Sequence, residues 1–399
     1  SPATIFHIAS VSKQFTVFSI LLLEKEGKLS FDDDIRKYIP EVPDFGKTIT
    51  LRHLASHTSG MRDQWALLDL AGWRQDDVIT KEHILKLVAQ QKELNFNPGE
   101  AYMYCNTGFT LLAEVVERVS GKTFAAFTEE KIFKPLSMSN TLFYDDHEKI
   151  VKNRAYSYQA GPDNKYKKSV LNFANVGATG LFTTVEDLAL WSMNFSSFTV
   201  GDKAIIDKMN TLAVLNNGET FGGAYGQFKN TYKGLNQIQH GGADAGYRSY
   251  LGRFPDQNFS VMVFSNFAQS KPGDLALQVA NLYLEDAFEK QTGAATNADE
   301  PIVSQEFTPP NYEVSDLKEF VGVYFSPELN TTYEAVLKDG KLTFTHARAS
   351  DFVISVAEND LFLFDGKSFM FERNDKQQIT GFRVSAGRVQ NLWFKKVIN

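Results

Sequence analysis

The sequence predicts an α/β or α+β domain followed by a small all-β barrel. Three observations carry this reading. Apolar residues recur at three- and four-residue spacing in separate stretches of the first part of the chain. Three short β-type segments and a helix follow from about residue 235, and residues 313–399 are β-patterned almost throughout.

The first helix is read over 11–26, where Val11, Phe15, Phe18, Leu22 and Leu23 recur at helical spacing and Gly27 stops it in the C′ position. Shorter helices are read over 50–57 and 81–91. Thr107 is read as the cap of a further helix carrying Leu111, Leu112, Val115, Val116 and Val119, closed by Gly121. Another lies between Gly180 and Phe195, capped at Thr183 or Thr184, with Glu186 and Asp187 in its first turn. QIQHGG, YRSYLGRF and FSVMVFSN read as strands separated by Gly or Pro-Asp-Gln-Asn turns, and a helix runs from Asp274 to about Phe288. Residues 289–312 are small, polar and Pro-containing, which fits a linker. Beyond it FVGVYF, YEAVLK, KLTFTH, FVISV, LFLF, SFMFER, ITGFRV and VQNLWFKK read as eight strands, enough for a small up-and-down barrel. The domains are therefore read as 1–288 and 313–399, joined by 289–312.

Composition narrows the function classes. With 399 residues, 43% of them hydrophobic and 33 of them phenylalanine, the chain has ample material for two cores. A net charge of −7 argues against nucleic acid, whose phosphates need a clustered basic surface. The basic run Lys165–Lys168 reads as a solvated loop. Cys105 is the only cysteine, which excludes an intramolecular disulfide and a thiolate metal cluster. No apolar run approaches the ~18 residues of a membrane span, and the first residues lack a signal-peptide pattern, so the chain as given is expected to be soluble.

Three short motifs can carry chemistry. In Ser10-Val-Ser-Lys13 a serine opens a helix, where free N–H groups and the dipole favour developing negative charge. Lys13, three residues on, falls on the same face, and a buried lysine beside the dipole loses proton affinity and can act as a base. The same residues also read as an ordinary helix start, as does the second Ser-x-x-Lys at Ser315–Lys318. Tyr104-Cys-Asn106 follows Asn97-Pro-Gly-Glu100; in an extended segment Tyr104 and Asn106 project the same way, a phenol to relay a proton and a carboxamide to orient lysine or substrate. Equally, Asn106 could cap the next helix and Tyr104 belong to the core. In His240-Gly-Gly242-Ala243 the glycines Gly241 and Gly242 let backbone approach a ligand, and the N–H groups of Ser10 and Ala243 make a candidate oxyanion hole. Lys271-Pro-Gly273 has a similar form but its proline lacks an N–H. His53 and His57 lack the third ligand and following glutamate of a zinc site and read as packing, so no metal is expected. Asp32-Asp33-Asp34 reads as a turn and helix start.

In the order Ser-x-x-Lys, Tyr-x-Asn, His-x-Gly, the set resembles the serine β-lactamase and penicillin-binding-protein superfamily, in its class C β-lactamase and DD-peptidase-like branch. TITLRHLASHTSGM, FNPGEAYMYCNTGFTLLAEVVERVSGKTF, KPLSMSNTLF, ATGLFTTVEDLALW and HGGADAGYRSYLGRFPDQNFSVMVFSN are similar to that family's segments, over roughly residues 4–285. The β region resembles the lipocalin-like domain appended to some members. The resemblance implies an α/β (α+β) β-lactamase-like domain, an antiparallel sheet flanked by helices, with the barrel bordering the cleft. It implies a serine hydrolase without cofactor: Ser10 forms an acyl-enzyme, Lys13 and Tyr104 share proton transfer, and His240 assists electrostatically. The implied substrate is an ester or amide, such as a D-amino-acid peptide or peptidoglycan-like fragment, with β-lactams as slow acylators and an extracytoplasmic address. The rival reading is a non-catalytic penicillin-binding or assembly protein that keeps the fold.

One departure from that pattern stands out. Family members place several tens of residues, including two strands, ahead of the nucleophile, whereas nine residues precede Ser10 here. The expectation is a sheet of about three strands with FSVMVFSN as its open edge, covered by a homo-oligomer, a second chain or the β domain.

Overall fold

The computed structural model describes residues 1–288, 310 and 312–397. The expected linker over 289–312 falls almost wholly outside the described residues. The chain forms two compact units, one of Ser1–Met61, Gln75–Ala89 and Phe96–Glu289, the other of Arg62–Arg74, Gln90–Asn95 and Lys290–Asn399.

In the first unit, β1 (Phe6–His7) leads through a 3₁₀ turn, Ala9–Ser12, into α1 (Lys13–Lys25). Every residue of α1 from Lys13 to Leu21 is buried, so this helix is a central strut and not an amphipathic surface element. Phe15 stacks on Trp191 with ring centroids 4.1 Å apart, and Phe18 meets the same indole edge-on at 5.1 Å. Trp191 belongs to α3 (Val185–Ser197), capped by the Thr184 side chain, which accepts from the Asp187 N–H. Against α1 also packs α2 (Asn106–Ser120). Its N-cap is Cys105, with no side-chain cap, so the Thr107 cap expected from sequence is not used.

Two small antiparallel sheets frame α1. In one, β3 (Leu181–Thr183) lies between β1 and β2 (Leu142–Phe143). The other has four strands in the order β7 (Phe259–Ser265), β6 (Tyr247–Phe254), β5 (Leu235–Asp244), β4 (Phe228–Tyr232). Three of these match the sequence reading; β4 was missed, because FKNTY has no alternating apolar face. Strand β7 pairs only with β6 among the described residues, which leaves FSVMVFSN at an edge as expected. The basic run expected as a loop is instead a strand, Tyr166–Ser169, hairpinned on Ser157–Ala160.

The second unit is a nine-stranded antiparallel sheet, nearly closed into a barrel. Its strands are β8 (Gly322–Ser326), β9 (Thr331–Lys338), β10 (Lys341–His346), β11 (Ala349–Val353), β12 (Ser355–Glu358), β13 (Leu361–Phe364), β14 (Lys367–Arg373), β15 (Ile379–Ala386) and β16 (Val389–Val397). The order is β11-β10-β9-β8-β16-β15-β14-β13-β12, so the first and last strands pair and consecutive β11 and β12 lie at opposite edges. The single strand FVISV expected from sequence is split there: Ile354, buried, donates its N–H to Leu342 O at 3.0 Å, and the chain crosses the seam. Period-2 alternation turns phenylalanines inward; Phe382 stacks on Phe394 at 4.8 Å and contacts Phe344, Phe369 and Phe371.

This unit also takes a helix that the sequence reading missed, Gln64–Leu70, capped by Asp63. Beside it Arg62, fully buried, donates from Nη1 to both oxygens of Glu328 at 2.6 and 2.5 Å and from Nη2 to Gln390 O at 3.0 Å. Tyr333 OH donates to Leu70 O at 2.9 Å.

Candidate active site

The 3₁₀ turn lifts Ser10 to the start of α1, partly exposed, with Ala9 before it at φ 48°. In the first turn of a helix the Ser10 N–H has no preceding intrahelical acceptor. One turn on, Lys13 is completely buried, and its Nζ donates to Ser10 Oγ at 3.1 Å, Asn106 Oδ1 at 2.9 Å and Ala178 O at 2.7 Å. Three uncharged oxygens from three segments thus converge on one amine. Nζ also lies 4.9 Å from the Tyr104 ring centroid.

The Tyr104–Asn106 segment is held from behind by His57. Its Nδ1 accepts from the Cys105 N–H at 3.0 Å, its carbonyl accepts from Met103 N at 3.0 Å, and its ring stacks on Tyr104 at 4.1 Å. His53 works separately in the capping box of the short helix Leu51–Ala55, exchanging bonds with Thr50. The two histidines therefore serve backbone positioning, His57 next to the site and His53 away from it. The Ala178 carbonyl had no signal in the sequence. Its position rests on Gly177 at φ 97°, where an added Cβ would fall 2.3 Å from Phe109 O.

His240 sits on β5, buried, its ring 6.1 Å from that of Tyr104 and 5.3 Å from that of Phe228. Burial, reinforced by the nearby Lys13, pushes its pKa down to about 3. Nδ1 lies 2.6 Å from Gly241 O, a carbonyl that only accepts, so Nδ1 carries the proton and Nε2 presents a lone pair. With its pKa pushed that low, the imidazole offers an acceptor at Nε2 near neutral pH, the form in which His240 would act on a substrate.

The two glycines differ. A Cβ on Gly242 would meet Ile8 O and Ser249 Oγ, each at 2.3 Å, whereas one on Gly241 would find only Ser249 O at 3.8 Å. Gly242 lets β5 lie against the Ser10 segment; Gly241 leaves open space beside it. Asp244 and Tyr247 close the β5–β6 turn, so Ala243, opposite Arg248, is the next, non-hydrogen-bonded pair and its N–H points away from β6. On that side the pairing with β4 stops at Gln239. The N–H groups of Ser10 and Ala243 thus remain the candidate oxyanion donors. Ser315 lies in the short helix Val314–Leu317, as the plain helix reading expected, and Lys271 in the loop before the helix Pro272–Tyr283.

The sequence profile of the family described as Beta-lactamase matches residues 1–284. The chain belongs to the Beta-lactamase family. Penicillin-binding protein 4* of Bacillus subtilis (strain 168) is 29% identical over 282 residues, 66% of this chain and 61% of that protein. A D-aminopeptidase of Brucella anthropi is 27% identical over 300 residues, 75% of this chain and 56% of that one. The chain thus spans little more than half the length of these curated relatives. Among solved structures, the octameric penicillin-binding protein homologue from Pyrococcus abyssi superposes with a TM-score of 0.63 at 24% identity, covering 99% of this chain and 89% of that one. It shares the fold of this Beta-lactamase family member over both units. A penicillin-binding protein from Bacillus halodurans gives a TM-score of 0.62 at 26% identity over 71% of this chain and 86% of that one. No described helix is long and apolar enough to cross a membrane.

Proposed function

We propose that this chain is a serine hydrolase that cleaves an amide or ester through an acyl-enzyme on Ser10. The observation that carries the reading is Lys13 Nζ, held between Ser10 Oγ and Asn106 Oδ1 at 3.1 and 2.9 Å. In the reacting form the Lys13–Tyr104 pair has given up one proton, so Ser10 O–H donates to it, and Ser10 Oγ attacks the carbonyl carbon as that proton passes to the pair. The carbonyl electrons move onto oxygen, opposite the N–H groups of Ser10 and Ala243. Collapse of that intermediate breaks the bond to the leaving amine or alcohol, which takes the proton back. Water then repeats the sequence on the ester and frees Ser10. Neutral His240 contributes Nε2 as an acceptor for a substrate N–H. D-aminopeptidases among the relatives favour an amide following a D-amino acid as the substrate class.

The test is to incubate the chain with a fluorophosphonate or fluorescent penicillin and weigh it intact. The expected result is one adduct on Ser10, absent from Ser10→Ala, with turnover of D-amino-acid p-nitroanilides. Rapid cleavage of p-nitrophenyl esters alone would reassign it as an esterase. No adduct with any acyl donor would sink the hydrolase reading in favour of a non-catalytic binding protein.

A further inference from the structure

Beneath the candidate oxyanion hole lies a hydrogen-bonded knot of three side chains that the proposed chemistry does not use. His7 Nε2 is 2.9 Å from Asp244 Oδ2. Thr179 Oγ1 is 2.9 Å from the same nitrogen and donates to the same carboxylate oxygen. His7 is 1% exposed and Thr179 2%, and the Asp244 side chain is 14% exposed. Among the described residues the His7 Nδ1 is buried without a hydrogen-bond partner, and the centroid of its ring lies 5.0 Å from that of Phe182 and 5.6 Å from that of Tyr247. A proton on Nδ1 would be a buried unsatisfied donor, so the geometry favours the Nε2–H tautomer, donating to Asp244.

The three residues come from the three segments that carry the reacting groups. His7 lies three residues before Ser10, Asp244 immediately after Ala243, and Thr179 immediately after Ala178, whose carbonyl accepts from Lys13. Two further bonds hold the Ser10 segment: Ser249 Oγ, on β6, donates to Ile8 O at 2.7 Å, and Ile8 N–H donates to Leu181 O at 3.0 Å. Among the described residues no strand pairs with β5 on its outer side beyond Gln239, so the Ala243 N–H depends on what holds the end of β5.

We propose that His7, Thr179 and Asp244 are positioning residues that set the distance between the Ser10 and Ala243 N–H groups and keep the Ala178 carbonyl on Lys13. The knot ties both oxyanion donors and one lysine acceptor to a single carboxylate. Lost support moves a donor off the developing oxyanion and costs transition-state stabilisation without removing a group that touches substrate. This inference rests on the serine-acylation reading above.

The experiment measures acylation of Ser10 in the full chain by p-nitrophenyl acetate, following p-nitrophenol release and intact mass. Each variant is assayed at the same interval below its own unfolding midpoint. His7→Ala and Asp244→Ala are expected to slow the limiting acylation rate constant about 10- to 100-fold, with half-saturation within about twofold. His7→Gln and Asp244→Asn, which keep one hydrogen bond and guard against misfolding, should recover part of the loss, and Thr179→Val should fall between. Lower midpoints with wild-type acylation rates would overturn the inference, making the knot a purely structural lock. A wild-type chain that never acquires the acyl mass on Ser10 would bring down the hydrolase reading itself, and this inference with it.

Discussion

Lys13 and Arg62 are both completely buried basic side chains, one in each unit, and they are held in opposite ways. Arg62 donates from Nη1 to both oxygens of the Glu328 carboxyl group and from Nη2 to the Gln390 carbonyl. Lys13 donates to a serine hydroxyl, a carboxamide and a backbone carbonyl, all uncharged. The surroundings follow the same division: stacked phenylalanines fill the barrel, whereas the start of α1 is ringed by His240, Asn106 and the His7–Asp244 pair. The first arrangement suits stability and the second chemistry. A buried basic group given a carboxyl partner suits a scaffold, whereas one whose acceptors are a hydroxyl, a carboxamide and a carbonyl suits the chemistry proposed above.

Four experiments press on that contrast, and the largest effect is expected at Lys13. Lys13→Met should lower kcat/KM by about 10²–10⁴-fold, the range for removing an acid–base group, in a steady-state assay with the best substrate found. A loss below tenfold would mean that the amine is scaffold after all. At the other buried basic side chain, Glu328→Ala leaves Arg62 with the more distant Glu93 carboxyl at 3.6 Å and should cost about 3–5 kcal/mol in denaturant unfolding, much of it recovered by the apolar pair Arg62→Met with Glu328→Leu. If the double variant is no better than the single one, the pair is more than a scaffold contact.

Adjacent glycines give a finer test. Gly242→Ala drives a Cβ to 2.3 Å from Ile8 O and Ser249 Oγ, so β5 must move off the Ser10 segment; acylation should fall steeply. Gly241→Ala enters open space and should leave the unfolding midpoint unchanged. Equal loss of stability in both would contradict the packing described. The smallest effect concerns His240. Its pKa is pushed down to about 3 in the fold, from an ordinary value near 6.5, so between those values the unfolded chain binds more protons. The stability His240 contributes is complete above about pH 6.5 and is lost as pH falls toward 3. His240→Asn should therefore show a smaller fall in thermal midpoint between neutral and mildly acid pH than wild type.

Much of this was legible before any coordinates. The spacing of Ser10 and Lys13 marked a helix start with both groups on one face, Thr183 or Thr184 and the Glu186-Asp187 turn marked α3, which the structure caps at Thr184, and Asp-Gly or Asn-Asp turns separated several barrel strands. Short polar-patterned pieces were not legible: β4 lacks an alternating apolar face, and the helix Gln64–Leu70 is brief and packs with residues far away in sequence. FVISV read as one strand because β propensity is local, whereas its break at Ile354 is set by where the barrel seam falls.

By itself the sequence determined which side chains are candidates for the chemistry and which local geometries present them, because helix starts, caps and turns are decided by neighbours in the chain. Tertiary structure alone decided three things: that burial pushes the His240 pKa down, that the third acceptor of Lys13 is the Ala178 carbonyl, and that His7, Thr179 and Asp244 meet. Each depends on burial or on groups brought together from 65 or more residues away, and neither quantity is written in a local pattern.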